Sequence, residues 1–147
     1  MKRIYTIILL SLFAFQACKK NNTDTLTGSW QLSGVYNPTL SLTVPRPANT
    51  GGNFVVKFYN NKAVSGHTFK NTFNGSYTLS NNNELRFGIF EATKIWEDTW
   101  GGSFNQVLMS CVLQSVSPCT PSIISLQDNE LKITTPYHDE LTFTRMP

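Results

Sequence analysis

The residues of this 147-residue chain with types suited to chemistry are few: three cysteines, two histidines and two pairs of adjacent carboxylates. His67 and His138 lie far apart in the chain. His138-Asp139-Glu140 places three metal-ligating types in a row, an arrangement that is more often a solvated turn than a coordination site. Glu97-Asp98 and Asp139-Glu140 are nearest neighbours, and neighbouring side chains point apart, so neither pair suits general acid–base work. No H-E-x-x-H, P-loop or G-x-S-x-G pattern is present. The expectation is a protein that is not an enzyme, with no catalytic residue, no metal and no cofactor. Cys111 and Cys119 form C-x₇-C, which matches neither a structural zinc site nor a C-x-x-C redox pair. Trp96, Trp100 and Phe104 flank Gly101-Gly102. They read either as an exposed rim for a ligand or partner, or as a plug beneath a helix, and the plug is preferred.

The N-terminus carries an address. Met1-Lys2-Arg3 is basic, and Ile4 to Phe15 is a nearly unbroken apolar run. A spanning helix needs about 20 apolar residues, so this run is too short to cross a bilayer. A basic start, a short apolar core and a small residue before a cut site describe a secretion signal. Here the segment ends Phe15-Gln16-Ala17-Cys18 and turns polar at Lys19-Lys20. It resembles a bacterial lipoprotein signal with a lipobox. That resemblance implies cleavage before Cys18, acylation of its thiol, and attachment to the membrane through the lipid. Residues 1–17 are then the signal peptide, 18–25 the lipidated tether and 26–147 the domain. The expected location is the cell envelope, at the outer membrane, facing either the periplasm or the surface. Asp24-Thr25-Leu26 also resembles the O-glycosylation site of Bacteroidota secreted proteins.

Removing the address changes the charge. Of 12 basic residues, Lys2 and Arg3 leave with the signal and Lys19 and Lys20 lie in the tether. Beyond Lys20 stand 8 basic residues against 9 acidic ones. Nucleic acid is excluded as a partner, because it requires a basic patch on the folded domain. In an oxidising compartment Cys111 and Cys119 are expected to pair as a disulfide, with two buried thiols as the alternative. The loop they would close is worth roughly 2.5 kcal/mol of chain entropy.

The elements that must position these residues are mostly strands. Phe54, Val56 and Phe58 alternate with Val55, Lys57 and Tyr59. Phe73, Gly75, Tyr77 and Leu79 share one face of a strand, and Leu85, Phe87 and Ile89 follow with the same period. Turns at Asn60-Asn61, Asn81-Asn82-Asn83 and Asp128-Asn129 separate such runs. With Leu26 to Tyr36, Lys62 to Gly66, Ser122 to Gln127, Glu130 to Thr134 and Leu141 to Arg145, about eight short strands are expected. That pattern belongs to a barrel or sandwich. One segment breaks the period. Phe104, Val107, Leu108 and Cys111 recur at helical spacing, which predicts a helix over 103–114 capped by Ser103. The irregular stretch 37–52, with Pro38, Pro45 and Pro47, can hold a short edge strand at Leu40, Leu42 and Val44. Phe54, Phe58, Phe73, Tyr77, Phe87 and Phe143 are the expected core.

Taken in order, several landmarks resemble the META-domain (HslJ-like) family. They are Leu26-Thr27-Gly28-Ser29-Trp30-Gln31-Leu32, Val64-Ser65-Gly66, Asn71, Phe73-Asn74-Gly75-Ser76-Tyr77 and Leu85-Arg86-Phe87. Ala92-Thr93-Lys94, the single helix, Leu131-Lys132-Ile133 and Leu141-Thr142-Phe143-Thr144-Arg145 complete the series. Gly28-Ser29-Trp30 also fits the Gly-x-Trp of the wider lipocalin-like superfamily. The resemblance implies a mainly β fold, a small lipocalin-like antiparallel barrel of about eight strands with one packed helix. It implies that Trp30 plugs one end of the barrel and that Arg145, on the last strand, stacks on it. The cysteines often found in the META signature are missing here, so any family disulfide does not transfer to Cys111 and Cys119. Members of the family have no agreed enzymatic activity and are linked to envelope stress, drug tolerance and secretion. The implied role is a monomeric, non-enzymatic interaction or structural domain, with an unnamed protein or small-molecule partner. A lipocalin-like carrier of a small apolar ligand is the alternative.

Overall fold

A computed structural model describes residues 26–109 and 120–147. Cys18, Cys111, Cys119 and most of the glycosylation-like Asp24-Thr25-Leu26 lie outside the described residues, so lipidation and disulfide pairing fall there too. Among the described residues, nine strands and one helix follow in order: β1 Gly28–Asn37, β2 Leu42–Val44, β3 Val55–Phe58, β4 Ala63–His67, β5 Thr72–Leu79, β6 Glu84–Ala92, α1 Thr99–Met109, β7 Ser122–Gln127, β8 Glu130–Thr134 and β9 Glu140–Arg145.

All pairings are antiparallel; β1 pairs with both β2 and β3, each strand from β3 to β9 pairs with the next, and β9 returns to β1. The result is a closed barrel of eight strands, with β2 as a short addition to β1. β1 carries this arrangement because it is long. Its first half pairs with β3 and its last three residues with β2, while β9 runs along its other side. The short Asn60–Lys62 turn closes on a left-handed Lys62, with Tyr59 N–H donating to the Ala63 carbonyl at 2.9 Å. The Ser80–Asn83 turn uses a left-handed Asn83 in the same way.

Inward-facing positions build the core. Phe54, Phe58, Phe73, Tyr77, Phe87 and Phe143 are all buried, together with Trp30, Val56, Leu85, Ile124, Leu131, Ile133 and Leu141. Tyr77 sits edge-on to Phe58 with centroids 5.0 Å apart, and its hydroxyl donates to the Tyr59 carbonyl at 3.1 Å. Burial pushes the Tyr77 phenol above its ordinary pKa, against a smaller opposing hydrogen bond with Thr27. The ring is therefore neutral at pH 7.

The seam between β1 and β9 is closed by a specific pair. Trp30 and Arg145 are register partners, and the guanidinium carbon lies 4.3 Å from the indole centroid. The Trp30 indole N–H donates to the Leu26 carbonyl at 2.8 Å, and Arg145 Nη1 donates to the Thr27 carbonyl at 3.0 Å. A desolvated cation–π contact of this kind is worth up to about 2 kcal/mol. Gly28 makes room for it. Its φ is +136°, and a Cβ there would lie 2.8 Å from Arg145 Nη1.

Two expectations need correction. Ile89 is 80% exposed rather than part of the buried stripe. Gly75 pairs with Phe90 and Tyr77 with Phe87, so β6 carries one extra residue opposite Ser76. This bulge shifts the alternation, and Phe90 takes the inward side. The helix also starts earlier than Ser103. Asp98 caps it, its Oδ1 accepting from Gly101 N–H at 2.8 Å. Ser103 lies inside the helix, and its hydroxyl donates to Asp139 Oδ2 at 3.3 Å.

Gly28→Ala should destabilise the domain by about 1–3 kcal/mol, through backbone strain and displacement of Arg145. Phe104→Ala, which removes a fully buried ring, should cost about 3–5 kcal/mol. Urea unfolding followed by tryptophan fluorescence measures both. A change within experimental error of zero for either would contradict this account of the seam or the core.

Candidate functional site

The described interior of the barrel is filled by side chains. Helix α1 sends Phe104 into it, where the ring meets Phe54 and Phe73 at 5.2 Å, Phe143 at 6.3 Å and Phe87 at 6.4 Å between centroids. Val107 and Leu108 are buried beside it. The polar side of the helix is fastened to the turn before β9. Ser103 donates to Asp139, and Thr135 donates to Gln106 Oε1 at 3.3 Å. Asp139 also accepts from Asn37 Nδ2 at 3.1 Å. At the same end of the barrel Trp100 is buried, and its indole N–H donates to the Val44 carbonyl at 3.1 Å. Phe69 packs against Trp100 and Phe54, and the Arg46 guanidinium lies 5.0 Å from the Phe69 centroid. The 37–52 loop is thereby drawn over this end.

The rim assigned to Trp96, Trp100 and Phe104 is not one surface. Trp100 and Phe104 are core residues, and Trp96 is 90% exposed. The three differ because α1 starts at Thr99: Trp100 and Phe104 fall one helical turn apart on the face turned to the barrel, whereas Trp96 precedes the helix. The other candidates are separated as well. In the His138-Asp139-Glu140 run, Asp139 faces the helix, Glu140 pairs with Lys132 at 3.2 Å, and His138 sits exposed in a left-handed turn position. Glu97 and Asp98 also diverge, Glu97 towards Asn71 and Asp98 towards the helix N-terminus.

The open concavity lies on the flank. β6 pairs with β7 only at Glu84 and Leu85, so among the described residues no strand pairs with its second half on that side. Helix α1 stands beside this stretch, and a cavity of about 540 Å³ lies between them. Phe73, Phe90, Ile95, Trp96, Leu108 and Met109 supply its apolar wall. Lys94, Glu97 and Asn105 are among its polar members.

One buried asparagine holds the wall in place. Asn71 Nδ2 donates to the Ile95 carbonyl at 2.8 Å and to Glu97 Oε1. Its Oδ1 accepts from Ile95 N–H at 2.7 Å and from the Thr93 hydroxyl at 2.9 Å. All four hydrogen-bonding positions of the amide are used. Thr68 adds a bond to Glu97 Oε1 at 2.9 Å and accepts from Asn71 N–H at 2.8 Å. The chain from Thr93 to Glu97 is thus tied to the β4–β5 turn. Glu97 Oε2 has no hydrogen-bond partner among the described residues. It lies against Gly101, where a Cβ would approach it to 2.0 Å. There the first turn of α1 presents the positive end of its peptide dipoles, which favours a carboxylate. Asn71 appeared in the sequence only as a landmark, and the structure gives it this anchoring role.

No family model matches the chain, and no curated protein matches it. Among solved structures, it is similar to an NMR structure of a protein from Burkholderia xenovorans, with 21% identity and a TM-score of 0.61, covering 84% of this chain and 86% of that one. A second NMR structure is 16% identical, with a TM-score of 0.58 and coverage of 84% and 93%. The crystal structure of a DUF4847 family protein from Bacteroides vulgatus is 14% identical, with a TM-score of 0.52 and coverage of 81% and 92%. These similarities are of fold.

Asn71→Ala should cost about 2–3 kcal/mol, because it leaves the Ile95 N–H and neighbouring groups without partners. Amide hydrogen exchange at Ile95 should accelerate sharply while β8 stays protected. Unchanged exchange at Ile95 would show that the asparagine does not hold this wall.

Proposed function

We propose that this chain is a non-enzymatic, lipid-anchored protein of the bacterial cell envelope, whose barrel acts as a META-like interaction module rather than as an open cup. The observation that carries this reading is the filled interior. Phe104 touches four other phenylalanine rings, on β5, β6, β9 and just before β3, in the space that a lipocalin-like carrier would leave for cargo. Contacts to a partner then fall on the outside of the barrel. The carboxylates support a role without catalysis: each pair is split between different structural partners. The near balance of charge beyond Lys20 supports a partner other than nucleic acid.

The anchor rests on the N-terminal residues: a basic start, a short apolar run and Ala17-Cys18. More than one acyl chain on Cys18 holds a protein stably at a membrane, since each buried CH₂ contributes about 0.8 kcal/mol. The META landmarks support the module. In this fold they are architectural: Gly66 leaves space for Phe73, whose ring would lie 2.6 Å from a Cβ there, Asn71 ties the flank wall, and Tyr77 bonds the Tyr59 carbonyl. A link to envelope stress follows from that resemblance and belongs to the same proposal.

Metabolic labelling with a radioactive fatty acid tests the anchor. The chain should take up label and fractionate with membranes, and Cys18→Ser should lose both properties. A labelled Cys18→Ser protein would overturn it. Native mass spectrometry of the exported Cys18→Ser protein tests the closed barrel. A bare polypeptide mass is expected. A co-purified apolar molecule that is lost on introducing a bulkier residue inside the barrel, as in Val56→Phe, would favour the carrier instead.

A further inference from the structure

We propose that the flank cavity between β6 and α1 is a binding site for a small amphiphile, an apolar body carrying one anionic group. Its volume of about 540 Å³ falls within the range of small-molecule sites, about 300–1,000 Å³, and suits one molecule rather than a length of peptide. The lining has the composition such sites need, mostly apolar walls with a few polar groups. Phe73 and Leu108 are buried at its base, while Trp96 and Met109 are exposed around its mouth. An exposed indole beside a cavity offers a flat apolar surface that water covers poorly. The preformed wall is held by Asn71, so binding would not have to order it.

Charge selects the ligand's polar end. Two charged side chains line the cavity, Lys94 and Glu97. Glu97 is held through Oε1, which accepts from Asn71 and Thr68, while Oε2, without a hydrogen-bond partner among the described residues, rests against the first turn of α1 at Gly101. Lys94 is exposed, and it makes no ion pair or hydrogen bond among the described residues. It is the charge available to a ligand, and it calls for a carboxylate or similar anion. Asn105, exposed on α1, adds an uncommitted amide to the lining. This site opens on the flank and shares only Phe73 and Leu108 with the packed core, and it stands whether or not Cys18 carries lipid.

Three probes with one alkyl body separate the contributions: decanoate, decanol and decylamine. The full chain carrying Cys18→Ser, exported and purified without detergent, is titrated by NMR and calorimetry. Saturable 1:1 binding of decanoate is expected, about tenfold tighter than decanol, with decylamine weakest. Shifts should concentrate at Phe73, Ile95, Trp96 and Leu108. Lys94→Glu, at an exposed position, should abolish the preference for decanoate over decanol without altering thermal stability. Trp96→Ala should weaken decanoate and decanol alike. Four results would overturn the proposal: no saturable binding below about 1 mM, a preference for decylamine, shifts centred in the barrel interior, or a Lys94→Glu protein that keeps the wild-type preference.

Discussion

Phe104 is the side chain on which the rest of this molecule depends. An eight-stranded barrel has an interior just wide enough to fill or to hold one small ligand. Here a helix fills it with a ring that meets four other phenylalanines. Burying one such side chain contributes about 1.5–3 kcal/mol, and each well-placed aromatic pair about 0.5–1.5 kcal/mol more. That packing requires the helix to lie against the barrel. The lie of the helix in turn explains why Ser103 and Gln106 meet Asp139 and Thr135, and why Trp100 reaches the Val44 carbonyl. Asp139, one of the few residues with a metal-ligating type, serves in the fold to fasten a plug.

The two ends of the barrel are closed by different means. At one end Phe54, Phe69, Trp100 and Arg46 stack beneath the long loop. At the other, Trp30 and Arg145 clasp the first strand to the last. The second closure is the more demanding, because it joins residues from opposite ends of the domain. Such long-range pairing carries a large entropy cost before it is rewarded. Arg145 lowers that cost by doing two things at once, covering the indole and donating to the Thr27 carbonyl. Gly28 permits both by leaving space where any side chain would intrude.

Much of this was legible in the residues. The alternation at Phe54, Val56 and Phe58, and again at Phe73, Gly75 and Tyr77, placed strands whose inner faces are the observed core. Those patterns fit a barrel or a sandwich, and it is the resemblance carried by Gly28-Ser29-Trp30 and the later landmarks that implies the closed barrel. What could not be read was anything decided across strands. Ile89 continues a perfect local alternation, yet a single extra residue in β6 turns it outward. Nothing local announces such a bulge. Ser103 and Asp98 are both residue types that cap helices; Asp98 takes the cap by accepting from Gly101 N–H, and Ser103, inside the helix, bonds Asp139 instead. The same holds for Trp96 and Trp100. They share a composition and a neighbourhood, and the phase of α1 sends one into the core and leaves the other in water.

The flank follows from these same choices. Because α1 occupies the barrel interior through Phe104, its body lies outside β6, and β6 leaves β7 after only two paired residues. A concave strip results between a strand edge and a helix, and something must hold its third wall. Asn71 does so with every hydrogen-bonding position of its amide, an arrangement that leaves no polar group of that side chain for a ligand. A landmark residue committed so fully is a structural one. The groups left over at the strip are those the architecture does not use: the Trp96 indole, the Lys94 ammonium and the Asn105 amide. Function in a protein with a full interior is found among such leftovers, since side chains already committed to the fold cannot also exchange partners with a ligand.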